Sequence, residues 1–307
     1  MTKKICVFGS FVTDLTARTE KFPKPGETVK GKSFKMGPGG KGSNQAVAAK
    51  RAGADVTFIT RLGDDALGRQ ALEFYKSENM SVDAILIDKE NPTGAALISV
   101  NESTAQNEIV VVSGACEHFT EEELPDILEL VGHSDIVLLQ LETNYEPVQA
   151  ILKFAKENNI VTILNPAPAG ILPAEFMHCV DIITPNETEA EVITGISVTD
   201  ENSAQNAANT LIGMGAGKVV ITLGDQGCYA HDGLSGRLIG VVNAGKVVDT
   251  TGAGDAFSGG LAAAISFGMD FFTAVRYAST VAGLSVTKQG TAPAMPYKSE
   301  IDENFKK

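Results

Sequence analysis

Short apolar runs alternate with helix-spaced segments along most of this chain. Residues 5–8, 56–59, 136–139, 161–164, 182–183 and 218–223 are brief runs rich in β-branched side chains, as expected of strands buried on both faces. Helical spacing marks residues 44–53, with Gly53 as C-cap, and residues 66–78, ending near Asn79. It also marks residues 146–158, stopped by Asn158 and Asn159, then residues 203–214 and 253–267. This β-α alternation predicts an α/β fold with a mostly parallel sheet covered by helices on both sides. Two stretches break the pattern. Residues 11–37 contain Phe22-Pro23-Lys24-Pro25-Gly26 and then a polar extended segment, and residues 93–112 read as a hairpin around a polar turn at 101–107. Antiparallel strands inserted in an α/β chain predict a small second sheet, which could serve as a lid or as a subunit contact.

Composition narrows the class of protein. The 307 residues are 43% hydrophobic and 21% charged, ordinary for a globular chain and long enough for a large core. No apolar run reaches 18 residues, so no membrane span is expected. The start of the chain resembles a signal peptide only superficially, because its apolar run is short and Asp14 and Arg18 follow it. A net charge of -13 disfavours nucleic acid or an anionic membrane as partner, though not a small anion held by backbone N–H groups. Cys6, Cys116, Cys179 and Cys228 are far apart, as are the four histidines; no zinc spacing occurs, and a reducing cytoplasm is the expected compartment.

Two glycine-rich segments carry candidate chemistry. Gly37-Pro38-Gly39-Gly40-Lys41-Gly42-Ser43-Asn44 contains a formal Gly-x-Gly-x-x-Gly, but it does not follow the first core strand as a dinucleotide site requires, and Lys41 precedes glycine rather than Ser or Thr. Glycines around Lys41 and Asn44 allow close backbone approach to a polar ligand; a plain strand-to-helix turn is the alternative. In Asp249-Thr250-Thr251-Gly252-Ala253-Gly254-Asp255 a loop becomes a helix, so Gly252, Ala253 and Gly254 offer an anion site and Asp255 a base for phosphoryl transfer. The alternative is that Asp255 merely stabilises the first helical turn. Asp14, Gln140-Leu141-Glu142 and Asn186-Glu187-Thr188-Glu189 lie just past predicted strand ends, where open α/β sheets place ligands; Glu187, Glu189 and Glu191 also fit an ordinary acidic helix start.

Taken in order, residues 39–46, 164–169, 183–191 and 249–260 resemble the signatures of the ribokinase-like (PfkB) carbohydrate kinase family, and the match spans the chain. The resemblance implies a three-layer αβα core, one kinase domain over 1–307, with 11–37 and 93–112 forming a β-sheet lid that also pairs subunits into a homodimer. It implies ATP-dependent phosphorylation of the 5-hydroxyl of D-ribose, with 2-deoxyribose or a nucleoside as alternative substrate. Asp255 would be the base and Gly252, Ala253 and Gly254 the anion hole. Asp14, Gly40, Lys41, Asn44 and Glu142 would hold the sugar, beside Val12. Asn186 and Glu189 would organise Mg2+ and phosphate, Thr222, Gly224, Asp225 and Gly227 the nucleotide, and Ser279 would lie near adenine. A monovalent cation, K+, would sit at Asp249, Thr251, Ser285, Lys288, Gly290 and Ala294. Two positions depart from the family pattern: Val12 replaces a common Asn, and Cys116 replaces the Asn of Gly-Ala-Asn. Both remove polarity expected near the sugar. A non-catalytic sugar sensor and a dinucleotide-dependent oxidoreductase are the readings from other classes.

Overall fold

The computed structural model describes residues 2–104, 106–170 and 173–306. In strand β1 (Lys4–Phe8), Ile5 and Val7 enter one core and Cys6 and Phe8 enter another, all buried. A strand apolar on both faces must be covered on both faces, and this sets the three layers. Among the described residues the main sheet has nine strands. From one edge they are β13 (Gly236–Ile239), β12 (Cys228–His231), β11 (Lys218–Thr222), β10 (Ile182–Ile183), β9 (Val161–Leu164), β8 (Ile136–Leu139), β1, β4 (Asp55–Gly63) and β5 (Ile85–Asp88). All neighbours from β11 to β5 are parallel; β12 and β13 are antiparallel additions.

One face is covered by α1 (Lys41–Arg51), α2 (Ala66–Ser77), α8 (Ala253–Ser266), α9 (Phe271–Ser285) and α10 (Lys298–Phe305). The other carries α3 (Leu124–Gly132), α4 (Tyr145–Glu157), α5 (Ala174–Met177), α6 (Glu187–Thr194) and α7 (Glu201–Gly213). The strand order reverses between β1 and β8, which opens a crevice past their carboxyl ends.

A separate four-stranded sheet has the order β3 (Ser33–Gly39), β2 (Val12–Thr19), β6 (Thr93–Asn101) and β7 (Asn107–Gly114). It arises where the two pattern-breaking segments were expected, although residues 20–32 lie outside its strands. Residue 105, in the expected turn, lies outside the described residues. No described helix is long and apolar enough to cross a membrane.

Most boundaries agree with the hydrophobic pattern within two residues. Two differ more: β4 runs four residues past residue 59, to Gly63, and α1 starts at Lys41 rather than at residue 44. Its glycines belong to the helix start: Gly40 is the N-cap with φ 87°, and Gly42 lies inside the first turn. The pattern does not reveal β5, α3, β12, β13, α9 or α10. Helix α9 is buried on nearly all sides and so has no polar stripe to give it a period.

Candidate active site

The site grows from the crevice between β1 and β8. The chain leaving β1 runs straight through Ser10 into β2, and the chain leaving β8 continues into Gln140 and Glu142. Glu142 Oε2 bridges the two, accepting from the Ser10 hydroxyl and from the Lys41 backbone N–H at 2.9 Å. Helix α1 presses its first turn against residues 9–12. A Cβ on Gly40 would lie 2.9 Å from Phe11 Cα, and one on Gly42 would lie 2.6 Å from the Gly9 carbonyl carbon. The close approach expected of these glycines is thus made to the chain's own backbone.

Asp255 lies in the first turn of α8 and is only 6% exposed. Helix α8 reaches α1 because it is lined with small residues: a Cβ on Gly259 would lie 2.5 Å from the Gln45 carbonyl oxygen. That contact sets Asn44 and Gln45 beside the carboxylate. Asn44 Nδ2 donates to Asp255 Oδ2 at 2.9 Å, and Gln45 Nε2 donates to Oδ1 at 3.0 Å. Burial raises the Asp255 pKa above the ordinary carboxylate value, against the lowering effects of Lys41, Gln45 and Asn44, while Glu142 adds to the rise. Burial alone would discharge Lys41, but Asp255, Glu142 and Glu189 outweigh it and hold the ammonium above its usual pKa. Among the described residues Lys41 Nζ has no ion-pair partner at contact distance.

A cavity of about 180 Å3 joins Lys41, Asn186, Glu189, Thr222, Gly252 and Asp255. Ala253 and Gly254 line it too. Gly252 takes a left-handed conformation, φ 78°, to turn the loop into the helix. The Ala253 N–H closes that turn onto the Thr250 carbonyl at 3.2 Å. Among the described residues the N–H groups of Gly252 and Gly254 meet no acceptor, which leaves both free to donate to an anion. Asn186 caps α6 and exchanges hydrogen bonds with Glu189, whose burial raises its pKa; a bridge between Asn186 and Thr222 ties this corner to β11.

Asp14 lies on the inward face of β2. Burial pushes its pKa up to about 6, helped by Glu142 and Asp255 and opposed by the Thr291 hydroxyl, which donates to Oδ2 at 3.2 Å. Val12 shares Asp14's face of the strand by alternation. Cys116 does not face the crevice: it is fully buried in the core, its sulfur accepting from the Phe11 N–H at 3.2 Å, with its one hydrogen in reach of the backbone carbonyl of either Phe11 or Arg61.

Other expected positions lie further out. Gly224, Asp225 and Gly227 form the turn after β11, and Ser279 is a nearly buried residue of α9 whose hydroxyl donates to the Val275 carbonyl. Asp249 accepts from the N–H groups of Thr251 and Gly290, which brings these three together; Ser285 and Lys288 share a turn, and Ala294 is buried in a short 3-10 helix. Sequence reasoning missed Ser10, Gln45, Asn165 and Thr291. Gln45 and Asn165 stand within recognised signatures, but they are 120 residues apart in the chain and Gln45 is 210 from Asp255.

The pfkB family carbohydrate kinase model matches residues 2–298. A ribokinase of Haemophilus influenzae is 39% identical over 303 residues, covering 99% of this chain and 98% of its own. A deoxyribokinase of Salmonella typhi is 34% identical over 304 residues, with 97% of each chain covered. The structure of Arabidopsis thaliana ribokinase complexed with ribose and ATP superposes with a TM-score of 0.92 at 30% identity, covering 100% of both chains. With the family model matched almost end to end, and relatives of this identity over the whole length, the chain belongs to the pfkB family of carbohydrate kinases.

Proposed function

We propose that this protein is an ATP-dependent ribokinase, which transfers the γ-phosphoryl group of ATP to the 5-hydroxyl of D-ribose. One observation carries the reading: a buried carboxylate, Asp255, is held by two amide donors beside the N–H groups of Gly252 and Gly254 and the Lys41 ammonium, which have no partner among the described residues. In the reaction Asp255 takes the hydroxyl proton as the 5-oxygen bonds to the γ-phosphorus. The bond from that phosphorus to the β-γ bridging oxygen breaks, and ADP leaves with the electron pair. Gly252, Gly254 and Lys41 meet the charge on the transferring group, with Ala253 shaping the turn. Lys41 thereby serves the phosphoryl side as well as the sugar. Asp14, Gly40, Asn44 and Glu142 hold the sugar beside Val12. Asn44 Oδ1, a buried acceptor without a protein partner among the described residues, suits a sugar hydroxyl.

Thr222, Gly224, Asp225, Gly227 and Ser279 are assigned to the nucleotide. Mg2+ bound with ATP supplies charge neutralisation at the phosphates, and the hard oxygens of Asn186 and Glu189 fit its hydration shell. The K+ assignment to Asp249, Thr251, Ser285, Lys288, Gly290 and Ala294 fits through oxygen donors, because Lys288 Nζ is paired with Glu300 and only its carbonyl can serve. The domain reading is a single kinase domain over 1–307 with the small sheet as its lid. That sheet's outward face leaves Phe34 68% exposed and Val110 61% exposed, with Leu97 between them, which supports a homodimer through the lid. The four free thiols support a cytoplasmic location.

A second reading, 2-deoxyribose 5-kinase, is favoured by Val12, whose side chain cannot hydrogen-bond a 2-hydroxyl. Steady-state rates on ribose and 2-deoxyribose with ATP and Mg2+, each with and without K+, decide between them. Turnover of neither sugar, with turnover of another pentose or a nucleoside, overturns both.

A further inference from the structure

Behind Asp255 lies a chain of buried amides that the transfer chemistry leaves unused. It starts at the Thr184 carbonyl, which can only accept. Asn165 therefore presents Nδ2 to it at 2.9 Å and turns Oδ1 toward Gln45. That oxygen can only accept, so Gln45 must offer Nε2, at 3.0 Å, and the second hydrogen of the same nitrogen reaches Asp255 Oδ1, also at 3.0 Å. On its other side Gln45 Oε1 accepts from Gln140 Nε2 at 2.7 Å. Each orientation follows from the one before, beginning at a backbone atom that cannot reverse. Gln45 is fully buried, and Gln140 and Asn165 nearly so. The chain ends in an unmet acceptor: Gln140 Oε1 has no partner among the described residues and packs against Gly9, where any side chain would overlap it.

We propose that Thr184, Asn165, Gln45 and Gln140 form a positioning device that fixes Gln45 as a donor and so keeps Asp255 ionised and aimed. A reversed Gln45 amide would set its oxygen against Asp255 Oδ1 and favour the protonated acid, which cannot take a proton from the sugar. The charged groups facing Asp255 are Lys41 from α1, Glu142 beyond β8, Glu189 from α6 and Asp14 from β2. Burial and Glu142 push toward protonation; Lys41, Gln45 and Asn44 push back. Lys41 is a long side chain without a fixed partner, whereas Gln45 is held from both ends.

The inference rests on Asp255 being the base of the proposed kinase. Its test is the pH dependence of kcat, at saturating sugar and ATP, in Asn165→Leu and Gln45→Met. Losing one hydrogen bond to a buried carboxylate moves its pKa by about one unit. The acid limb of kcat should therefore rise by about one pH unit, a roughly ten-fold loss below the limb. Well above the limb the rate should recover to within a few-fold, and the sugar KM should hold. Gln45→Met strips three partners at once and can fail to fold; Asn165→Leu removes only the acceptor that fixes the Gln45 amide and then decides. An acid limb that stays in place in either folded variant overturns the inference. Near-normal turnover in Asp255→Asn removes Asp255 from the base role instead, and turnover of no sugar overturns the kinase reading, so the failures are distinct.

Discussion

Asp255 and Asp14 meet the same crevice with opposite needs. As the proposed base Asp255 has to be ionised, and two amides and Lys41 oppose the rise that burial gives its pKa. Asp255→Asn should keep the fold and the sugar KM but lower kcat about 10^2 to 10^4-fold, the usual worth of a general base, as steady-state kinetics would register. Burial, with Glu142 and Asp255 adding to it and the Thr291 hydroxyl opposing, raises the Asp14 pKa to about 6. A carboxyl whose folded pKa exceeds its unfolded value opposes folding once it is charged. Asp14→Asn should therefore raise the melting temperature above pH 6, with the gain shrinking toward pH 4 as both forms become neutral. The same variant should bind sugar poorly, because an amide cannot replace the second acceptor. A melting gain that grows as pH falls would contradict the burial argument.

At the scale of elements, the site depends on how closely α8 approaches α1. Gly259 and Gly260 lie in the middle of α8, where Cβ atoms would meet the Gln45 carbonyl oxygen at 2.5 Å and Val281 Cγ2 at 2.8 Å. Gly259→Ala would push α1 away and lengthen the Asn44 and Gln45 contacts to Asp255. Calorimetry should find about 1–3 kcal/mol lost to overpacking, and kcat should fall more than sugar affinity does. The small sheet is built by alternation: inward positions carry Asp14, Thr16 and Arg18, and outward positions carry Leu15, Leu97 and Val110. Leu97→Lys, at the centre of the outward face, should convert a dimer to monomers in sedimentation velocity. An unchanged sedimentation coefficient would place the subunit contact elsewhere.

For the whole molecule, the crevice is assembled from the ends of β1, β8 and β10, from the starts of α1, α6 and α8, and from the small sheet. Ligands that bind only this assembled state should raise its stability: sugar at a hundred-fold over its dissociation constant adds about 2.7 kcal/mol. A thermal shift with ribose that Asp14→Asn abolishes would tie that stabilisation to the proposed sugar end. Much of this was legible in the chain itself. Buried β-branched runs fixed the strand type and the layers, because apolar faces must be covered wherever they fall. Local backbone signals marked Gly40, Gly252 and Asp255, because helix starts and left-handed glycines depend on only a few neighbouring residues. The sequence could not show that Gly40 and Gly42 make room for residues 9–12, that Cys116 points into the core, or that Thr291 reaches Asp14 across 277 positions. Nor could it orient the amides of Asn165, Gln45 and Gln140, since an amide has no direction until a partner that cannot reverse is placed beside it. The chain's own order thus determined which chemistry was available, and tertiary packing decided which groups face one another and in which protonation state.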